Sequence, residues 1–288
     1  MKDIIKKMVL GTAQFGMDYG IANVSGKPKK KEVFGILDLA WERGVRRFDT
    51  APGYESEALL GDYINTNGLQ GETILLTKLP FLGQTTDYKA TIKKALELSL
   101  DKLGCRIEVL FFHDPVDSKL LLDDSLFFEK LLQDYPVSSL GVSVYEPKEV
   151  EMLSGCELEL AFQFPLNVVD RRFENVAIPL GKRYARSVFL QGLLASPNRL
   201  RPNAPEELMK IKKEYHKFLD KHHLDPISFS LHFVMNSDCA DYFVLGVDTE
   251  KQLNDILRLD TNININKSIM DRPISGIDKN WLDPREWN

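Results

Sequence analysis

Short apolar runs rich in β-branched and aromatic residues alternate with longer stretches of helical period along the whole chain. Eight such runs stand out, at 7–14, 46–51, 73–78, 107–113, 138–144, 158–164, 187–193 and 242–247. Amphipathic segments lie between them. In 30–44, Val33, Ile36, Leu37, Ala40 and Trp41 share one helical face, and in 85–104 Ile92, Leu96 and Leu103 do the same. Strands alternating with helices predict a parallel α/β architecture. The stretch between the seventh and eighth runs carries two helical patterns, which predicts an extra helix before strand eight. Gly44, Gly104 and Gly155 stand where left-handed caps would end helices. Residues 271–288 show no period and predict an irregular C-terminal tail. No composition shift or low-complexity linker divides the chain, so 1–288 reads as a single domain.

The polar residues that end these runs carry the chemistry. FDTAPGY, ILLTKLP and VLFFHDP deliver Asp49, Tyr54, Lys78 and His113 to the ends or immediate sequels of the second, third and fourth strands. In a barrel of parallel strands such residues converge on one rim. An ammonium among apolar strands needs a partner, which Asp49 supplies. A positive charge near a phenol favours the phenolate, so Lys78 is expected to lower the pKa of Tyr54 and make it a usable acid. Each residue alone has a plainer role: a turn cap for Asp49, a loop aromatic for Tyr54, a satisfied core histidine for His113. Four such roles at matching strand ends make a weaker account than one shared site.

Composition narrows the classes. The apolar fraction is 43% and the charged fraction 27%, values of a globular protein with one sizeable core. The net charge of -5 argues against nucleic acid or an anionic membrane as a partner. Cys105, Cys156 and Cys239 lack metal-site spacing and read as reduced thiols, which suggests a cytoplasmic location. No histidine has a second ligand at metal spacing, so no metal is assigned. No G-x-G-x-x-G follows a strand, Gly11 to Gly16 lacks the Lys-Ser/Thr of a phosphate loop, and Gly141 to Tyr145 lacks the closing glycine of a nucleophile elbow.

The segments LGTAQFG (10–16), RFDTAPGY (47–54), Ser56-Glu57, Leu60-Gly61, Thr77-Lys78, FHD (112–114), GVS (141–143), Gln163, LQGL (190–193) and Gly246, in that order, resemble the aldo-keto reductase family. The resemblance implies a (β/α)₈ TIM barrel that binds NAD(P)H over its carboxyl rim and reduces an aldehyde or ketone, or oxidises the alcohol. It implies Tyr54 as the general acid, Lys78 and Asp49 as its tuning pair, and His113 as the group that orients the carbonyl oxygen. For the cofactor it implies Gly11, Thr12, Asp49, Ser143 and Gln163 near the nicotinamide, with Gln191, Gly192, Leu193 and Gly246 around the pyrophosphate.

Two departures from the family pattern matter. Asp248 and Gln252 stand where members using the phosphorylated cofactor often carry basic residues, which points to NADH or dual use. Thr249 and Gln252 could equally form a helix cap there. Between Tyr54 and Ser56-Glu57 the family often has one more residue, a glycine. The substrate, sugar-like in this reading, would be selected by rim loops that include Phe15, Tyr19 and the tail, while Arg171 and Arg172 could hold an anionic group. Two rivals share these residues: a Schiff-base aldolase using Lys78, and a catalytically weak NAD(P)H-binding regulator. A carboxylate beside Lys78 counts against the aldolase, since it favours the ammonium over the nucleophilic amine. Monomer and homo-oligomer are not distinguished.

Overall fold

The computed structural model describes residues 2–83, 85–195, 200–259, 265, 267–270 and 277–287. Eight parallel strands close into a barrel in sequence order: β1 (Met8–Gly11), β2 (Arg47–Asp49), β3 (Ile74–Leu79), β4 (Ile107–Phe112), β5 (Val137–Ser143), β6 (Leu160–Pro165), β7 (Arg183–Arg186) and β8 (Tyr242–Gly246), with β8 pairing back onto β1. This is the (β/α)₈ TIM barrel.

The period of two along each strand sorts side chains into two cores. Leu10, Phe48, Leu75, Leu110, Phe112, Val142, Phe162, Phe164 and Phe243 point outward and join the buried layer shared with the helices. Val9, Leu76, Phe111, Ala161 and Tyr184 point inward and fill the barrel. Gly141 faces inward because nothing larger fits: a Cβ there would stand 2.6 Å from the Phe111 ring and 2.7 Å from the Ala161 carbonyl oxygen. The next inward positions toward the carboxyl ends are Gly11, Asp49, Lys78, Ser143, Gln163, Arg186 and Gly246, so alternation alone raises the polar residues above an apolar plug.

The helices follow the sequence pattern. Lys30–Glu42 buries Val33, Ile36, Leu37 and Ala40, and Tyr88–Leu103 starts at Asp87, whose side chain accepts from the Ala90 amide at 3.0 Å. Glu206–His222 and Pro226–Met235 both precede β8, as the extra-helix pattern requires. Gly44 and Gly104 are left-handed, with φ of 93° and 68°, whereas Gly155 has no positive φ.

Two expectations are corrected. Strand seven is RYAR, not residues 187–193. The latter form turns, with Ser187, Leu190 and Gln191 at φ of 59°, 45° and 53°, while Val188, Leu190 and Leu193 are buried. The apolar run reported burial, not extension. Among the described residues the connection from β6 to β7 carries no helix, because Asn167 closes a turn on the amides of Val169 and Asp170 at 3.0 and 2.9 Å.

Of the tail, residues 271–276 and 288 lie outside the described residues. Ile277, Trp281 and Trp287 pack against the outer core. A hollow of about 420 Å³ opens beside Lys6, Lys7, Arg183, Asp238 and Asp241, at the amino-terminal end of the barrel, away from the polar rim. No helix among the described residues is long and apolar enough to cross a membrane.

Candidate active site

Asp49 ends β2 and Lys78 comes one residue before the end of β3, and both face inward. Lys78 Nζ donates to Asp49 Oδ1 at 2.7 Å and to the Thr50 carbonyl oxygen at 2.9 Å, and Gln163 Nε2 donates to Asp49 Oδ2 at 2.8 Å. The side chains of Lys78 and Asp49 are 1% and 4% exposed. Both carboxylate oxygens and two ammonium protons are therefore satisfied out of water, which is what lets the pair persist there. An amine bonded to two oxygens is held as a cation, not freed as a nucleophile.

Tyr54 reaches this pair from a short turn, Pro52–Tyr54, that follows β2. The turn is pinned from three sides. Tyr54 N-H donates to the Ala51 carbonyl oxygen at 3.0 Å, and the Ser56 hydroxyl bonds Thr12 at 2.8 Å and Thr50 at 3.0 Å. Ser56 precedes helix Glu57–Thr66 but spends its hydroxyl on these contacts instead of capping the helix. Gly16 packs against the turn so closely that a Cβ there would meet the Tyr54 carbonyl oxygen at 1.8 Å. Glu55, where the extra glycine of the family is missing, takes up the shortening in a left-handed conformation with φ of 56°.

Lys78 Nζ lies 4.8 Å from the centroid of the Tyr54 ring, and His113, the residue after β4, meets that ring edge to face at a centroid distance of 5.9 Å. The four residues singled out at strand ends are thus brought together. The electrostatics differ from the expectation. Burial pushes the Tyr54 phenol well above its ordinary value, the charges of Asp49 and Tyr145 add to this, and Arg186, not Lys78, is the cation that draws it down. Tyr54 keeps its proton at neutral pH.

Burial pushes the His113 imidazole down to about 3, helped by the charges of Lys78 and Arg186. The ring is therefore neutral and has one N-H to donate. Because the folded value lies below the ordinary 6.5, the unfolded chain takes up the proton first as pH falls, and stability contributed by the neutral ring is lost from about 6.5 downward. Nuclear magnetic resonance of the ring should show no titration of His113 between about pH 8 and 5. A midpoint inside that window would mean the ring is hydrated.

The positions expected to hold a cofactor are spread around the same rim. Thr12 donates to the Asp49 carbonyl oxygen at 3.0 Å. Ser143 and Gln163 are cross-strand neighbours on β5 and β6, each 1% exposed, and among the described residues the Ser143 hydroxyl has no protein hydrogen bond. Gly11 pairs with Gly246 across β1 and β8. Gln191, Gly192 and Leu193 lie in the turns after β7. At the next helix, Glu250–Leu257, Thr249 is the N-cap and accepts from Gln252 N-H at 3.2 Å, while Gln252 Oε1 accepts from Asp248 N-H at 2.7 Å. Burial raises the Asp248 carboxyl above its usual range.

Arg171 and Arg172 are not free for a substrate, since Glu174 holds the first at 2.9 Å and Asp170 and Glu146 each hold the second at 2.8 Å. Phe15, expected on a selective loop, is 1% exposed and packs in the outer core. Sequence reasoning missed Tyr145, Arg186 and Arg285. The Tyr145 ring carries the guanidinium of Arg186 at 4.1 Å and that of Arg285 at 3.3 Å.

A model of the Aldo/keto reductase family matches residues 7–272. An aldo-keto reductase of Mycobacterium sp. (strain KMS) is 35% identical over 113 residues, 38% of this chain and 40% of that protein. A D-threo-aldose 1-dehydrogenase of Pseudomonas sp. is 28% identical over 167 residues, covering 46% and 50%. The matches thus span about two fifths to one half of these relatives' length. The solved structure of a glycerol dehydrogenase from Gluconobacter oxydans superposes with a TM-score of 0.68 at 22% identity, covering 94% of each chain, a likeness of fold.

Proposed function

The chain belongs to the aldo/keto reductase family, a family of oxidoreductases, and on that premise we propose that it reduces an aldehyde or ketone with NAD(P)H, or runs the reverse reaction, using Tyr54 as the proton donor. One observation carries the reading: a protonated phenol lies within 5 Å of a buried ammonium and edge-on to a neutral imidazole.

The residues present fit a dihydronicotinamide. Its carboxamide needs a donor and an acceptor, and Ser143 and Gln163 offer a hydroxyl without a protein partner among the described residues beside an amide. When bound, the reduced dinucleotide supplies the hydride. The chain supplies the rest. Tyr54 gives its proton to the carbonyl oxygen as negative charge grows there, and His113 donates its N-H to the same oxygen. The phenolate left on Tyr54 is stabilised by Lys78 under its ring and by Arg186. Asp49 acts through Lys78, as a positioning residue. The apolar plug beneath this layer keeps water from entering from below. A small-molecule carbonyl compound as substrate and a cytoplasmic location belong to the same proposal.

For the cofactor, Asp248 supports a preference for NADH or dual use, because a carboxylate at that position repels a 2'-phosphate. Asp248→Arg is expected to raise the NADPH to NADH ratio of kcat/KM by about tenfold, because a guanidinium that bonds the 2'-phosphate takes the place of a carboxylate that repels it. Steady-state rates with both cofactors check this. An unchanged ratio would leave Asp248 only its part in the Gln252 contact. The reading as a whole is tested by fluorescence titration with NADH and NADPH followed by a carbonyl screen, and fails if neither dinucleotide binds.

A further inference from the structure

Two consecutive residues after Tyr54 tie its turn to three strands. The Ser56 hydroxyl bonds Thr12 and Thr50, just past the ends of β1 and β2, and the Glu57 carboxylate reaches β3, where Thr77 Oγ1 donates to Glu57 Oε1 at 2.8 Å. Among the described residues this is the only hydrogen bond from 54–57 to β3. The residue after Thr77 is Lys78. Alternation turns Lys78 into the barrel and Thr77 outward, toward the helices, so the tie lies behind the wall and outside the space a dinucleotide or substrate would occupy.

Glu57 is 1% exposed, and a carboxylate is a costly group to bury. Its Oε2 has no hydrogen bond, and its ion-pair partner, Lys102 Nζ, stands 3.7 Å away on a side chain that is 43% exposed. The amino-terminal position on helix Glu57–Thr66 offsets part of the cost. Gly61, one turn on, lets the same face press against the end of helix Tyr88–Leu103, for a Cβ there would stand 1.8 Å from the Lys102 carbonyl oxygen. A leucine would fill such a place without desolvating a charge. What an apolar side chain lacks is a directed bond. The bond here ends one residue from the ammonium that lies 4.8 Å from the centre of the Tyr54 ring.

We propose that Glu57 is a positioning residue: its bond to Thr77 fixes the turn bearing Tyr54 against the strand bearing Lys78, and so sets the spacing of phenol and ammonium on which proton donation depends. The kinetic consequence rests on the carbonyl-reduction reading above; the geometric one does not.

Three variants separate the bond from the charge. Glu57→Gln keeps an acceptor for Thr77 and removes the carboxylate, Glu57→Gln with Thr77→Val loses the bond as well, and Glu57→Gln with Thr77→Ser restores a hydroxyl. All three carry an amide at 57, so none leaves a buried charge unpaired, and urea denaturation should show each of them folded. From Glu57→Gln to the Val variant, kcat for an aldehyde should fall about tenfold to a hundredfold with KM and the dinucleotide dissociation constants within about twofold, and the Ser variant should recover to within about threefold. The ring protons of His113, edge to face with Tyr54 at 5.9 Å, report the same displacement without turnover. Their magnetic resonance shifts in the substrate-free protein should move in the Val variant and return in the Ser variant. A kcat equal within about threefold across the three variants overturns the proposal and leaves the tie to the fold alone. So does a fall in kcat with unmoved His113 shifts, which would place the defect away from Tyr54. Shifts that follow the hydroxyl at 77 in a protein that reduces no carbonyl keep the positioning role and overturn the reduction reading; turnover and shifts both indifferent to that hydroxyl do the opposite; no turnover with unmoved shifts overturns both.

Discussion

Replacing Tyr54 with Phe is expected to lower kcat/KM for carbonyl reduction by about 10² to 10⁴, the range for a lost general acid, while the dissociation constants of NADH and NADPH move by less than about twofold. The substitution removes one oxygen. No protein hydrogen bond pins that hydroxyl among the described residues, so the ring can keep its edge contact with His113 and its position over Lys78. The Pro52–Tyr54 turn is fixed by backbone and by Ser56, not by the phenol, and it should survive intact. Because burial keeps the phenol protonated, the wild-type proton is available at neutral pH, and no nearby group replaces it: the His113 ring holds only a proton it needs to stay neutral. Steady-state rates on a panel of aldehydes, with cofactor binding measured by fluorescence, check both halves. Activity retained within about threefold would remove Tyr54 from the proton-donor role.

Most of the barrel was legible because seven of the eight strands are apolar runs, and five of these carry a polar residue facing inward at or near the carboxyl end. The seventh was not. Val188, Leu190 and Leu193 made 187–193 look extended, yet they are buried from turns, while the true strand is the four residues RYAR, framed by arginines. That one displacement hid Arg186, since a residue is recognised at a strand end only when the strand is in place. Tyr145 and Arg285 were hidden for a different reason, because the contact between them joins the loop after β5 to a tail that has no period at all.

The site was legible in its members and misread in its electrostatics. Asp49, Tyr54, Lys78 and His113 do converge, as strand-end residues of a barrel must. Their influence on one another, however, depends on who is bonded to whom. The pairing of Lys78 with Asp49 explains how the lysine is buried, while burial and the Asp49 charge push the phenol up and Arg186 is the cation that draws it down. A sequence names charges; the geometry decides which are already spent. The two arginines read as anion binders are paired with carboxylates, whereas the one left unread has no such partner among the described residues.

Lys78→Met is expected to lower the free energy of unfolding by about 3–5 kcal/mol, as when one member of a buried ion pair is deleted, and to abolish reduction as well. Methionine fills much of the lysine's volume, so the loss comes from charge. Asp49 would stay in place at 4% side-chain exposure with only the Gln163 amide donating to it, and the Thr50 carbonyl oxygen would lose its donor. The double variant Lys78→Met, Asp49→Asn separates the two effects. An amide at 49 does not require a cation, so stability should recover by more than half, whereas activity should not return, because a phenolate on Tyr54 would still lack the ammonium beneath its ring. Urea denaturation of the wild type, the two single variants and the double variant, with reduction rates of each, makes the cycle complete. If Lys78→Met unfolds within about 1 kcal/mol of the wild type, Asp49 is reached by water and the pair is not the dry pivot of the rim. If the double variant regains both stability and activity, the lysine serves the fold alone, and stabilisation of the phenolate falls to Arg186.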